Sequence, residues 1–245
     1  NSLGGVKVEM PRCFILLGGR GTRLFPLTNF IHKSMIPVAG RPVIEHIIDY
    51  LKSQRISDII FCISDSSSKE QIIHYFGDGS RFGITLRYSV GPRELGTAGR
   101  ILHASSQHLI NGEFVIYYGD ILTDLDLREV HKFHREKRGL GTIVFSPNLP
   151  IASGIGVLDE SSQIKKIAEK PLLPHNTNIG VYILEPEILK FIEPVSDFFV
   201  DTFPRVIRNK EKLYGYVSNC KWLDIGTFRN LQRAEKFVKE NFRGK

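Results

Sequence analysis

Short unbroken apolar runs alternate with segments whose apolar positions recur at helical spacing through roughly the first 145 residues, the pattern of βαβ units around a largely parallel sheet. Cys13 to Leu17 is the first predicted strand, followed by an amphipathic helix over Arg41 to Gln54 with Pro42 in its first turn. Asp58 to Ile63 and Ile84 to Ser89 are predicted strands flanking a helix over Ser67 to Phe76. A helix over Thr97 to Leu109 leads into the strand Glu113 to Tyr118, which ends in Gly119-Asp120. A helix over Asp126 to Lys137 and a strand over Thr142 to Ser146 complete this part, and a last helix spans Thr227 to Phe242.

From about Gly154 the strands become shorter, at Gly154 to Leu158, Ile164 to Glu169 and Ile179 to Leu184, with Pro171, Pro174, Pro186 and Pro194 between and after them. This change of texture predicts an additional mixed β layer covering a crevice. Ligands of open α/β sheets gather beyond the carboxyl ends of the strands, so Asp120 is expected to face the same crevice as the turn after Leu17. A length of 245 residues fits one large domain, expected over 10–245, with halves at 10–146 and 147–245.

Lysine and arginine outnumber the acids by 33 to 26, giving a net charge of +7 spread along the chain. That balance favours phosphorylated small molecules over nucleic acid, because no basic patch carries interleaved stacking aromatics. Cys13, Cys62 and Cys220 are odd in number and lie in apolar settings, which reads as free thiols in a reducing compartment. Residues Asn1 to Glu9 hold no signal-peptide core, and no apolar run approaches the ~18 residues of a membrane span, so a cytoplasmic protein without a membrane partner is expected. His131 and His134 lie on one predicted helix without acidic or thiol partners at ligand spacing, so no zinc site is expected there.

The stretch Leu16-Leu17-Gly18-Gly19-Arg20-Gly21-Thr22-Arg23-Leu24 carries the chemistry, with Lys33 ten residues beyond Arg23. A glycine-rich turn leaving a buried strand exposes backbone N–H groups to a polyanion, and Arg23 and Lys33 add fixed positive charge, so the segment reads as a nucleoside triphosphate cradle. It departs from the dinucleotide fingerprint, since Leu24 stands where the third glycine belongs, and from the P-loop, since no Gly-Lys-Ser/Thr follows.

This stretch, with Pro26-Leu27-Thr28 and Lys33-Ser34-Met35-Ile36-Pro37, resembles the opening motif of the sugar-phosphate nucleotidyltransferases, closest in motif to mannose-1-phosphate guanylyltransferase. The likeness continues through Leu95-Gly96-Thr97-Ala98-Gly99, Gly119-Asp120, Glu169-Lys170-Pro171, Asn178-Ile179-Gly180-Val181-Tyr182 and Trp222-Leu223-Asp224-Ile225-Gly226-Thr227. It implies a Rossmann-like mixed, mainly parallel sheet of the nucleotide-diphospho-sugar transferase type, joining a sugar 1-phosphate to a nucleoside triphosphate with release of pyrophosphate. Mannose 1-phosphate with GTP is the first expected pair. Glucose 1-phosphate with dTTP or UTP, a heptose or muramic acid phosphate, and a non-catalytic nucleotide-sugar sensor are the alternatives.

By the same resemblance Arg23, Lys33 and Asp120 are catalytic, and Asp120 and Asp224, 104 positions apart, ligate Mg²⁺. Leu17, Gly18, Gly19, Gly21, Thr22, Gly96 and Thr97 are expected at the nucleotide, and Glu169, Lys170 and Asn178 at the sugar phosphate. Oligomeric state is left open, with a homo-oligomer allowed. A chain ending at Lys245 is expected to lack the hexapeptide-repeat β-helix that many relatives carry.

Overall fold

The apolar run Arg12–Leu17 forms β1, and its alternate side chains enter two different cores. Cys13, Ile15 and Leu17 join one buried cluster, whereas Phe14 and Leu16 join another on the opposite face. A strand covered on both faces has no polar side to show, which is why the run reads as continuously apolar. The computed structural model of the protein describes residues 9–241 apart from 20, 67, 148 and 152. Arg20 of the glycine stretch, Ser67 at the start of the second predicted helix, and residues 242–245 fall outside the described residues.

Six further strands complete the central sheet: β2 (Asp58–Ser64), β3 (Thr85–Gly91), β4 (Phe114–Tyr118), β5 (Gly141–Ser146), β6 (Thr177–Leu184) and β7 (Leu213–Val217). Their order is β7-β5-β6-β4-β1-β2-β3, and β6 alone runs against its neighbours. Helices α1 (Val43–Ser53), α2 (Lys69–Phe76), α4 (Leu127–Lys137) and α6 (Phe228–Asn241) pack into the cluster on one face. Helices α3 (Gly96–Ser106) and α5 (Phe203–Arg208) pack into the cluster on the other. From β1 the chain builds outward through β2 and β3, then returns to place β4 on the other side of β1. The carboxyl ends of β1 and β4 therefore flank a topological switch point, the place where such sheets leave a crevice.

Two expectations are corrected. The first helix begins at Val43 instead of Arg41, because Arg41–Pro42 pairs as a short strand with Pro37–Val38 and Pro42 caps the helix in an extended conformation. The predicted strand Ile179 to Leu184 belongs to the centre of the sheet, not to a covering layer. As β6 it hydrogen-bonds both β4 and β5, with Val181 and Ile183 in one core and Tyr182 and Leu184 in the other. Strands from both halves of the chain thus share one sheet. Ile155–Leu158 and Ile164–Ala168 do form a separate antiparallel pair. A second ribbon pairs Ile121–Thr123 with Trp222–Asp224. Among the described residues no helix is long and apolar enough to cross a membrane.

Candidate functional site

Beyond Leu17 the chain makes the glycine turn and then three short 3-10 turns, Thr22–Leu24, Leu27–Asn29 and Lys33–Met35, instead of an α-helix. Gly21 at the start of the first has φ 62°, a left-handed conformation that glycine adopts without a steric penalty. The segment is fastened at both flanking strand ends. His32 Nδ1 accepts from the Ser34 N–H at 3.2 Å, which leaves Nε2–H to donate to the Leu17 carbonyl at 3.0 Å. Ser34 Oγ donates to the Gly119 carbonyl at 2.7 Å, just beyond β4. Burial pushes the His32 imidazole down to about 4, so it is neutral at physiological pH and holds this one tautomer. Lys33, between these two fasteners, is delivered into the crevice, where a Cβ on Gly19 would lie 2.9 Å from its Nζ.

Asp120 and Asp224 are neighbours despite their separation in sequence. In the ribbon Asp224 stands opposite Ile121, and the Ile225 N–H donates to the Asp120 carbonyl at 2.9 Å. Lys33 pairs with the Asp120 carboxylate, and Arg23 Nη2 lies 3.7 Å from Asp224 Oδ2. Asp224 Oδ1 also accepts the Gly226 N–H at 2.6 Å. The carboxylate thus combines the turn role open to an aspartate before Gly-Thr with a place in the crevice.

The other wall comes from α3 and β6. Gly96 has φ 72°, and a Cβ there would come within 2.4 Å of the Ser196 carbonyl oxygen, so only glycine lets the helix start against that segment. Thr97 N–H and Oγ1 both donate to Asp197 Oδ1, at 3.0 and 2.9 Å. Asn178, at the crevice, donates to Tyr182 and accepts from the Gly180 N–H, both at 2.9 Å, where β6 departs from regular pairing.

Arg100 is a cation that sequence reasoning missed. Only 5% exposed, it extends from α3 beneath Gly18, and its Nη2 donates to Ser64 Oγ at 2.6 Å and to the Arg93 carbonyl at 3.0 Å. Among the described residues no carboxylate forms a salt bridge with it. Its signal was an arginine between Ala98, Ile101 and Ala104 on the buried side of an otherwise apolar helix face.

Two adjoining clefts result, of about 640 and 520 Å³, sharing Gly18, Gly19, Lys33 and Arg93 as their common wall. Leu17 and Thr22 line the first. Arg23, Gly96, Thr97, Arg100, Asp120, Asn178 and Asp224 line the second. Glu169 and Lys170 line neither. They follow the separate hairpin, exposed, as an ion pair with each other at 3.4 Å. The arrangement can gather two polyanions around one cluster of cations, with the carboxylates of Asp120 and Asp224 beside it.

Residues 12–241 match the family model described as nucleotidyl transferase. The chain is 33% identical to a UTP–glucose-1-phosphate uridylyltransferase of Synechocystis sp. and 32% identical to a mannose-1-phosphate guanylyltransferase of Mycobacterium tuberculosis, with 93% and 90% of this chain covered. It spans 63% and 62% of the length of these two relatives. In fold it is similar to HddC from Yersinia pseudotuberculosis complexed with GMP-PN, with a TM-score of 0.74 at 22% identity over 94% of this chain and 100% of that one. The family model matches the chain from the start of β1 to the end of α6, and both relatives exceed 30% identity over about nine-tenths of it: the chain belongs to the nucleotidyl transferase family.

Proposed function

We propose that the chain transfers a nucleotidyl group from a nucleoside triphosphate to a sugar 1-phosphate. An oxygen of the sugar phosphate attacks the α-phosphorus, the new P–O bond forms as the α–β bridging bond breaks, and pyrophosphate leaves with that electron pair. A phosphate monoester is already ionised near neutral pH, so the protein's task is to position two anions and offset their repulsion, with no base needed to make the nucleophile. The observation that carries the reading is the meeting of the glycine turn, Arg23, Lys33 and both aspartates in one pair of joined clefts.

In this reading the Leu17 to Thr22 turn and the Gly96-Thr97 helix start hold the nucleotide, and Arg23 and Arg100 hold its triphosphate. Lys33, between the clefts, contacts the reacting phosphates, and Asn178 orients the sugar. Glu169 and Lys170 reach the sugar phosphate only if the hairpin folds toward the crevice. The first half of the chain, 10–146, then serves the nucleotide and the second, 147–245, the sugar phosphate. Asp224, at the end of one ribbon strand, and Asp120, immediately before the other, present hard carboxylate oxygens, a donor set that fits Mg²⁺. That ion would supply charge neutralisation on the phosphates when bound.

Mannose 1-phosphate with GTP is the first substrate pair, supported by the guanylyltransferase relative; glucose 1-phosphate with UTP is the second, favoured by the name of the Synechocystis relative. The experiment is a matrix of nucleoside triphosphates against sugar 1-phosphates, read as pyrophosphate released. One productive pair is expected. Nucleotide binding without pyrophosphate from any pair would overturn the enzymatic reading in favour of a sensor.

A further inference from the structure

At the strand ends opposite the crevice, three potential metal ligands converge. Glu113 immediately precedes β4 and Glu185 immediately follows β6, and the antiparallel register sets Phe114 opposite Leu184. Two carboxylates far apart in sequence therefore emerge side by side, under His134 of α4. One ligand atom from each residue lies within 4.8 Å of the other two. His134 Nε2 is 3.3 Å from Glu185 Oε1 and 4.0 Å from Glu113 Oε2.

Two of these atoms, His134 Nε2 and Glu113 Oε2, are buried with no hydrogen-bond partner among the described residues, and His134 as a whole is 1% exposed. Orphaned buried polar atoms are costly and call for a cause. The remaining atoms of the same side chains are tied down. His134 Nδ1 lies 2.9 Å from Thr142 Oγ1, and Glu113 Oε1 takes His131 Nε2 at 2.9 Å and Arg135 Nη1 at 3.2 Å. Outer contacts of this kind orient metal ligands and leave the inward atoms free. Burial, and next the charge of Glu113, raises the Glu185 carboxyl, while burial holds the His134 imidazole down at about 4.

We propose that Glu113, His134 and Glu185 bind a divalent transition-metal ion, with Zn²⁺ the ion best suited to one imidazole and two carboxylates. Ligand bonds of about 2.0–2.1 Å imply tetrahedral edges of about 3.3 Å, which the His134–Glu185 separation already meets. Glu113 Oε2 needs only a small inward shift. The fourth position is left for water or an anion from the adjoining cleft, which His134 and Glu185 line together with Arg138, Lys210 and Lys212. The ion ties α4 to the ends of β4 and β6, the strands whose far ends carry Asp120 and Asn178. A simple Nε2–H bond to Glu185 is the competing arrangement, and it leaves Glu113 Oε2 orphaned.

The test is a titration of the metal-stripped full chain with Zn²⁺ and, separately, with Co²⁺ as a spectroscopic probe. Wild type, Glu185→Gln, His134→Gln and Asp120→Asn are compared by equilibrium dialysis, visible absorption and thermal melting. Wild type and Asp120→Asn are expected to take up the ion with a cobalt spectrum of nitrogen and oxygen ligation, without the intense thiolate charge-transfer band. Uptake is expected to weaken at least ~100-fold in Glu185→Gln and His134→Gln, and Zn²⁺ to raise the melting temperature of wild type but not of Glu185→Gln. Equal uptake by wild type and Glu185→Gln overturns the proposal, as does a thiolate spectrum or loss in Asp120→Asn alone. Glu185 is partly exposed and Gln keeps its shape, so this variant decides the matter even if His134→Gln does not fold.

Discussion

Lys33, on the last 3-10 turn of the segment after β1, and Asp120, two residues beyond β4, are ion-paired and equally sheltered, with side chains 14% and 13% exposed. Each supplies the other's counter-charge in the free protein. If the proposed reaction holds, an arriving phosphate would compete for Lys33 and release the Asp120 carboxylate for a cation, and both residues would change partners as substrates bind. Asp120→Asn and Lys33→Met are therefore expected to lower turnover by more than about 100-fold, the usual effect of removing one preorganised charged group. Pyrophosphate release measures the loss, and a thermal melt within a few degrees of wild type shows that the fold survives. Unchanged turnover in Asp120→Asn would remove it from the machinery.

Strands β1, β2 and β4 were legible because burial on both faces leaves an uninterrupted apolar word in the sequence. β6 carries a similar word, yet its place between β4 and β5 is a matter of long-range pairing that no local pattern encodes. β7 escaped notice because Leu213-Tyr-Gly-Tyr-Val at the sheet edge is only half buried and is interrupted by Gly215. In the site, Arg23, Lys33, Asp120, Asn178 and Asp224, which line the second cleft, and Glu169 and Lys170, which line neither, were singled out by ordered motifs. Arg100, Asp197 and His32 were not, since each acts through partners distant in sequence or across the glycine turn. The same holds for His134. Its sequence spacing offers no acidic partner, and the sheet register supplies Glu113 and Glu185.

Among the described residues no carboxylate pairs with the buried Arg100, so its charge is a cost to the free protein that a bound polyanion would offset. Arg100→Met keeps most of the stem and removes the charge. Its KM for the triphosphate is expected to rise about 10- to 100-fold, the value of a charged hydrogen bond, with unfolding free energy unchanged or increased. Urea unfolding beside substrate kinetics checks both halves of the expectation. A variant that lost stability while keeping its KM would mark Arg100 as a packing residue.

Gly96 tests how far the helix start is preset. Gly96→Ala would place a Cβ within 2.4 Å of the Ser196 carbonyl at a positive φ, forcing α3 and the 196–197 segment apart. A loss of about 1–3 kcal/mol is expected, together with weaker nucleotide binding as the Thr97–Asp197 contacts open. Chemical denaturation and nucleotide titration of the variant measure the two effects.

His32 gives the fold a pH dependence whose sign follows from its burial. The folded imidazole titrates at about 4 and the unfolded one near 6.5, so between these values only the unfolded chain takes the proton. Its contribution is complete above pH 6.5 and is lost as the pH falls toward 4, on the order of 3 kcal/mol over the whole window. His32→Gln removes the titrating group, so the gap between wild type and variant should narrow on acidification. Urea unfolding at several pH values across that window reads the gap directly. A constant gap would mean that the ring at the end of β1 is protonated as readily as one in the unfolded chain, and the fastening of Leu17 would then need another donor.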